Sequence, residues 1–291
     1  MVTATGALDS GPAGRRRAAA SVRRHRLAVA GAVLLAVMAL AAVLAPWLGT
    51  VDPQALSPIQ RLRGPSRLHG FGTDMLGRDV YSRTIYGARV SLVVGGSVAA
   101  LSGLIGLGVG LVTGYLRALD GIVMRVMDGL MAIPPVLLAI ALMTLTRAGV
   151  ANVIAAITVA EVPRVVRLVR GLVLSLREQP FVEAARASGT SVSRTLARHI
   201  LPNTLAPLTV QATYVLASAM IIEAVLSFIG AGTPPTIPSW GNILAEGRSV
   251  FQVAFHIVLF PGLFLSATVL AVNLLGDGMR DALDPRLARQ I

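Results

Sequence analysis

Long apolar runs alternate with short polar stretches along almost the whole chain. The first run covers residues 27–48; as a helix it would be about 33 Å long, against a bilayer hydrocarbon core of ~30 Å. Further runs cover residues 90–115, 129–146, 150–169, 205–229 and 253–275. Each predicts one membrane-crossing helix, because a helix satisfies its own backbone where water is absent. The pattern predicts an all-α polytopic membrane protein with six transmembrane helices and both termini on one side. It divides the chain into a basic tail (1–26), a first helix (27–48), a loop with an interfacial helix (49–89), a five-helix core (90–275) and a second tail (276–291).

Composition sharpens this reading. The chain is 54% hydrophobic and 14% charged, where a soluble domain runs nearer ~25% charged. Every one of its 26 basic residues is arginine. Without lysine it can build neither a Walker A phosphate loop nor a Schiff base. With no cysteine it has no disulfide or thiol chemistry. His25, His69, His199 and His256 lack ligand-like spacing, so no metal centre is expected.

The net charge of +12 is read as a topology signal rather than a nucleic-acid footprint. Arg15, Arg16, Arg17, Arg23, Arg24 and Arg26 crowd ahead of the first span, which makes both termini cytoplasmic. On that topology 18 arginines lie inside and 8 outside. The first external loop holds six of the eight (Arg61, Arg63, Arg67, Arg78, Arg83 and Arg89), so it should be ordered or bound to something. A secretory or twin-arginine signal, with Arg23–Arg24 as the pair and cleavage near Ala45, is the rival reading. The apolar run exceeds the usual ~7–15 residue signal core and five more spans follow, which favours an uncleaved anchor. Residues 1–14, rich in small polar types, are expected to be disordered.

Within the spans a few positions are not merely apolar. Ser102, Gly106, Gly110 and Gly114 form a small-residue ridge on span two that admits a close helix neighbour, with Gly103 and Gly108 beside it. Asp120, Arg125 and Asp128 sit at the cytoplasmic mouth of span three, where Arg125 and Asp128 are spaced to pair, and Pro134–Pro135 should kink the span. Span four carries Glu161, Arg164, Arg167 and Arg170 at three-residue spacing. The row is short and sits at the cytoplasmic exit, where arginine reaches headgroups or a wet vestibule, so voltage sensing is the lesser reading. Glu161 and Glu223 are the carboxylates expected at membrane depth, as translocation-path candidates with Arg164 or as ion-paired structural groups.

The cytoplasmic stretch 170–203 is polar without being linker-like. Pro180 can open a helix, Glu183 suits its first turn, Ala184, Ala185 and Ala187 favour it, and Gly189 stops it. A second amphipathic segment is expected to close at Pro202. This is a shape suited to a cleft in a cytoplasmic partner.

Here the residues resemble a family. Glu183-Ala184-Ala185, then Gly189, then Leu201-Pro202 is similar to the EAA motif of binding-protein-dependent ABC importer permeases, and RHILPN (198–203) resembles its dipeptide/oligopeptide branch. GTDMLGRDVYSRTIYGARVSL (72–92), the Asp120, Met124-Arg125, Asp128, Pro134 pattern, EAVLSFIGAGTPPTIPSWGNIL (223–244) and GDGMRDALDPRL (276–287) match in order.

The resemblance implies a type I ABC importer permease fold, one N-terminal span added to a five-helix core, in a bacterial cytoplasmic (inner) membrane. It implies a second homologous permease, two cytoplasmic ATPases holding ATP and Mg, and an external solute-binding protein delivering peptide. No cofactor or catalysis is implied for this chain. The coupling helix would cover residues 181–191, with Phe181 in it, Glu183 making polar contacts with the ATPase, Ala184 and Ala185 allowing close seating, and Gly189 permitting the turn. An acidic Glu161 and the absence of an aromatic near Val162 depart from that branch.

On the outside, Gly72-Thr73-Asp74 reads as a turn and N-cap opening a helix on which Asp79 and Arg83 pair. With Arg78 and the stretch 234–240 around Trp240, it is a candidate platform for the binding protein; an interfacial anchor is the plainer alternative. Nickel-chelate or another small solute is the alternative cargo. A secondary transporter or channel is the rival from another class, but no inverted repeat is found and such a carrier needs no docking loop. The carboxylates and histidines form no catalytic pair.

Overall fold

The computed structural model describes the backbone of residues 12–283 and the side chains of residues 26–283. Most of the N-terminal stretch expected to be disordered, five of the six N-terminal arginine side chains and residues 284–291 lie outside the described residues. The helices are α1 (Pro12–Val43), α2 (Val80–Tyr115), α3 (Arg117–Met131), α4 (Pro135–Thr144), α5 (Val150–Leu176), α6 (Pro180–Ala187), α7 (Val192–Thr195), α8 (Leu201–Phe228), α9 (Trp240–Arg248) and α10 (His256–Leu283).

Among the described residues four helical runs are long and apolar enough to cross a membrane: 26–43, 80–115, 192–228 and 256–283. The bent pair α3–α4 would make a fifth. The expectation of six such spans is corrected in two places. Span three is broken by 89° between Met131 and Pro135, because Pro134 and Pro135 cannot continue the backbone ladder. Span four forms as α5, but Glu161 and its three arginines keep it from being a uniformly apolar helix.

Span two starts at Val80, ten residues before its apolar run, and so absorbs the expected interfacial helix. Its cap is Asp79, whose carboxylate accepts from the Ser82 amide at 2.7 Å, rather than Asp74. Span five also starts early. The helical path from Val192 continues through Pro202 instead of closing there. A π turn over Leu196–Ile200, in which the Leu201 amide reaches back to the Leu196 carbonyl, makes room for a ring that has no amide hydrogen to give.

The core is laid down by the small-residue ridge. Gly106, Gly110 and Gly114 face Val165, Val169 and Val173 of α5, so closely that a Cβ on any of the three glycines would lie 2.5–2.6 Å from a valine carbon. Four-residue spacing on both helices places valine knobs over glycine gaps, which is how helices pack where water exclusion gives no drive. Gly103 and Gly108 meet nothing within 4 Å and lie outside the contact. Gly110→Val should therefore lower stability by about 1–3 kcal/mol through overpacking, whereas Gly108→Ala should not lower it; thermal unfolding in detergent distinguishes them. α8 packs along α2 through Gly95 against Leu216 and Met220, and α1 lies on α10 through Gly31 and Gly278.

Candidate functional site

One end of the bundle carries α6. Pro180 occupies its first position, where a missing amide hydrogen costs nothing, and Glu183 lies in its first turn. The helix stops at Ala187, four residues short of the expected 191, because Gly189 takes φ +76°. The Thr190 amide donates to the Ala185 carbonyl at 3.0 Å and the Gly189 amide to the Arg186 carbonyl at 2.9 Å, a Schellman closure that satisfies the last carbonyls.

Val182 is buried beneath the helix while Phe181, Glu183, Ala184 and Gly189 are exposed and Ala185 is half-buried. One face thus anchors α6 and the other is presented outward. Leu201 is half-buried and Pro202 exposed at the start of α8; the ring of Phe181 lies 6.5 Å from that of His199.

Arginines tie this end together. Arg186 lies over the Tyr115 ring at 4.9 Å with Nε donating to its hydroxyl at 3.1 Å, and Arg177 donates to the Gly114 carbonyl at 3.2 Å. Arg170 grips Asp120 with Nε and Nη2, the latter at 2.6 Å, and Arg167 meets Asp128 at 2.5 Å. The expected Arg125–Asp128 pairing is thereby corrected: Asp128 turns to α5, since a partner on another helix adds packing that a neighbour one turn away does not. Tyr115, Arg177 and Arg186 were not singled out in the sequence; an aromatic at a span end was the available signal.

Two carboxylates are fully buried inside the bundle. Glu161 accepts from Ser218 at 2.8 Å, and its other oxygen lies 3.2 Å from Arg164, whose guanidinium is half exposed. Glu223 is held by hydroxyls: it accepts from Ser227 at 2.9 Å and Ser91 at 3.4 Å, and Ser227 continues through Thr233 to Ser239 and Asn242. The expectation of an ion pair fits Glu161 and not Glu223.

The opposite end holds α9 and residues 49–79, and here the basic loop finds its counter-charges. Arg83, 1% exposed, reaches Asp74 at 2.5 Å and Glu246 at 3.0 Å; Arg78 reaches Asp74 at 2.6 Å and Glu246 at 2.5 Å. The expected Asp79–Arg83 pairing is replaced, because Asp79 is consumed as the α2 cap and by His69 at 3.0 Å. Trp240 is buried with its indole donating to the Thr84 carbonyl at 2.9 Å. Asp74, Asp79, Arg83 and Trp240 therefore form the interior of this end rather than its contact surface. Arg89 donates to the Val43 carbonyl at 2.9 Å and so caps α1, while Arg61, Arg63 and Arg67 stay exposed. Glu246 was not anticipated, as its partners lie more than 160 residues away.

Among the described residues no three His, Asp or Glu side chains are grouped to hold a metal ion. The arrangement offers a short helix with an exposed face, a set of charged ties and a polar interior.

Comparison with known proteins places this geometry. Residues 104–289 match the family of binding-protein-dependent transport system inner membrane components, and residues 15–65 match the N-terminal transmembrane domain of oligopeptide transport permease C. A Sinorhizobium fredii protein named a probable peptide ABC transporter permease is 52% identical over 92% of each chain. A dipeptide transport system permease of Alkalihalophilus pseudofirmus is 41% identical, covering 94% of this chain and 90% of the relative. A chain of the MetNI methionine ABC transporter, solved in inward-facing conformations, superposes with a TM-score of 0.59 at 22% identity over 69% of this chain and 96% of that one, a likeness of fold. The chain belongs to the inner-membrane components of binding-protein-dependent transport systems and is a non-catalytic permease subunit of an ABC transporter.

Proposed function

We propose that this chain forms half of the membrane pathway through which an ATP-driven importer takes di- or oligopeptides from an external solute-binding protein. The observation that carries the reading is α6: a short helix anchored by Val182, with Glu183 and Ala184 facing outward and a glycine closure behind them. Peptide as the solute is supported by the names of the relatives and by the oligopeptide-permease match at the N-terminus.

In this reading the α6 end is cytoplasmic, both termini lie there, and α1 is the span added to a type I core of α2, α3–α4, α5, α8 and α10. A second homologous permease completes the pathway. Two ATPases hold ATP and Mg, and each seats one coupling helix; on this chain the seat uses Phe181, Glu183, Ala184, Ala185 and Gly189, with Leu201 and Pro202 starting the helix that follows. Closure of the ATPase pair moves the coupling helices, and the attached spans rock between inward- and outward-facing states. Arg164, charged and half exposed beside Glu161, is the path residue within reach of a solute; Glu161 holds it in place, and Glu223 holds the hydroxyl cluster of Ser91 and Ser227 in the interior. At the external end the exposed Met75, Leu76, Pro235 and Thr236 offer the contact surface, which Asp74, Arg78, Asp79, Arg83 and Trp240 hold in shape from below.

The test is reconstitution in proteoliposomes with the second permease, the ATPases and the binding protein. ATP-dependent uptake of labelled di- to pentapeptides, not displaced by a nickel chelate, is the expected result. Uptake of the nickel chelate with none of peptide would reject the peptide assignment.

A further inference from the structure

Solute delivery and ATPase docking leave Arg167 and Arg170 of α5 and Arg177 at its C-cap without a role. Arg167, Arg170 and Arg177 run down toward α6, and Arg186 continues the row on α6 itself. Their partners divide into two groups. Arg177 and Arg186 hold the end of α2, which is already interlocked with α5 through the glycine and valine columns. Arg167 and Arg170 hold α3, which lies against α5 and α2 only through half-buried side chains such as Val123, Met124 and Met127: none of its side chains is fully buried, and Ile122 is 70% exposed.

Beyond its 89° bend the same broken span is well seated, with Leu138, Ala139 and Met143 of α4 buried and Ala139 and Met143 in one apolar cluster with Val153 and Ile157 of α5. The α3 half is thus seated less deeply than α4, and its two carboxylates supply its ion pairs to α5. The positions of the ties matter as much as their number. A single ion pair is a pivot. Two pairs, formed by arginines three residues apart on α5 and aspartates eight residues apart on α3, fix an angle as well as a place. The Asp120 pair is two-pronged, the form of arginine–carboxylate contact with the tightest geometry.

We propose that Asp120–Arg170 and Asp128–Arg167 are positioning pairs that carry the displacement of α6 through α5 into the α3 half of the broken span, keeping solute passage tied to ATP hydrolysis. This rests on the coupling role assigned to α6 above. The pairs touch neither ATP nor solute. Their loss uncouples: ATPase activity still responds to the binding protein, but the span it should move no longer follows.

The experiment measures solute taken up per ATP hydrolysed by the full reconstituted complex. Asp120→Arg should lower that ratio by about fivefold or more, the size of an ordinary coupling between sites, while the ATPase rate stays within about twofold of wild type. Restoring the pair in reverse, Asp120→Arg with Arg170→Asp, should bring the ratio back, which a merely structural loss would not do. An unchanged ratio in Asp120→Arg, or a reversed pair no better than the single variant, overturns the linkage.

A second arm needs no solute and uses the cysteine-free chain. Spin labels at Ile122→Cys and Ser175→Cys in the assembled complex should keep one narrow distance with and without trapped ATP, and the distribution should broaden in the Asp120→Arg background. An equally narrow distribution there overturns the linkage even if the complex imports something other than peptide. Failure of wild-type peptide uptake counts against the function and leaves this arm to decide the linkage.

Discussion

Arginine in place of Glu183 should abolish ATP-dependent uptake by the reconstituted complex while the chain still reaches the membrane at its normal level. Glu183 stands exposed in the first turn of α6, so its replacement disturbs no buried contact. A carboxylate there gains about 0.3–1 kcal/mol from the positive end of the helix, and a cation forfeits it. The larger effect is at the seat itself, where reversing the charge sets a repulsive contact against whatever group the ATPase offers to a carboxylate. Gly189→Trp reaches the same end by another route. No atom lies within 4 Å of a Cβ at this exposed position, so the side chain begins in open space. The left-handed backbone instead costs an L residue about 1–2 kcal/mol, and the added bulk stands beside the seated helix. Insertion is read by membrane fractionation and coupling by uptake; full transport in both variants would sink the assignment of α6.

The second large effect is expected at the other end of the bundle. Arg83→Leu should cost about 3–5 kcal/mol of stability, the usual penalty for breaking a buried charge network on one side. Two carboxylates, Asp74 and Glu246, share two guanidinium groups, and Asp74 is as deeply buried as Arg83. Leucine fills part of the volume and leaves Arg78 as the one cation in the knot. The loss should appear as a lowered unfolding temperature in detergent and reduced abundance in the membrane. Arg61→Leu, at an exposed position of the same loop, should stay within about 0.5 kcal/mol of wild type. Equal unfolding temperatures for the two variants would mean that the knot adds nothing to the fold.

These two ends also show which parts of the molecule were legible in the sequence. Apolar runs located the helices, because burial in lipid demands long uncharged stretches. The ridge from Ser102 to Gly114 identified a close helix contact, that of α2 with α5, since small side chains in hydrocarbon have few other uses. Pro180, Glu183 and Gly189 placed α6 by cap chemistry alone. What failed was local charge pairing. Asp79–Arg83 and Arg125–Asp128 satisfy the helical spacing rule, yet Arg83 and Asp128 found partners on other elements. An i,i+3 or i,i+4 pair is worth only ~0.2–0.5 kcal/mol, too little to hold a charge that packing can place against a distant opposite one. The early start of α2 was hidden for the same reason: residues 80–89 look too polar for a span until Glu246 is brought beside them. The ATPase-facing role proposed for α6 came from resemblance, since nothing in a helix's geometry names its partner.

The unbroken helical path from Val192 to Phe228 has a mechanical consequence. From the π turn at Leu196 to Glu223 it measures about 40 Å at 1.5 Å per residue. Ser91 of α2 reaches Glu223 near one end, and the loop from α6 joins at the other. In the first half of the path the π turn, Pro202 and Pro207 leave ladder hydrogen bonds missing, so bending concentrates there rather than at Glu223. With the bend at Pro207 the lever to Leu196 is about 17 Å, so roughly 12° shifts the α6 end by the width of one atomic contact, while Leu216 and Met220 keep their packing on Gly95 of α2.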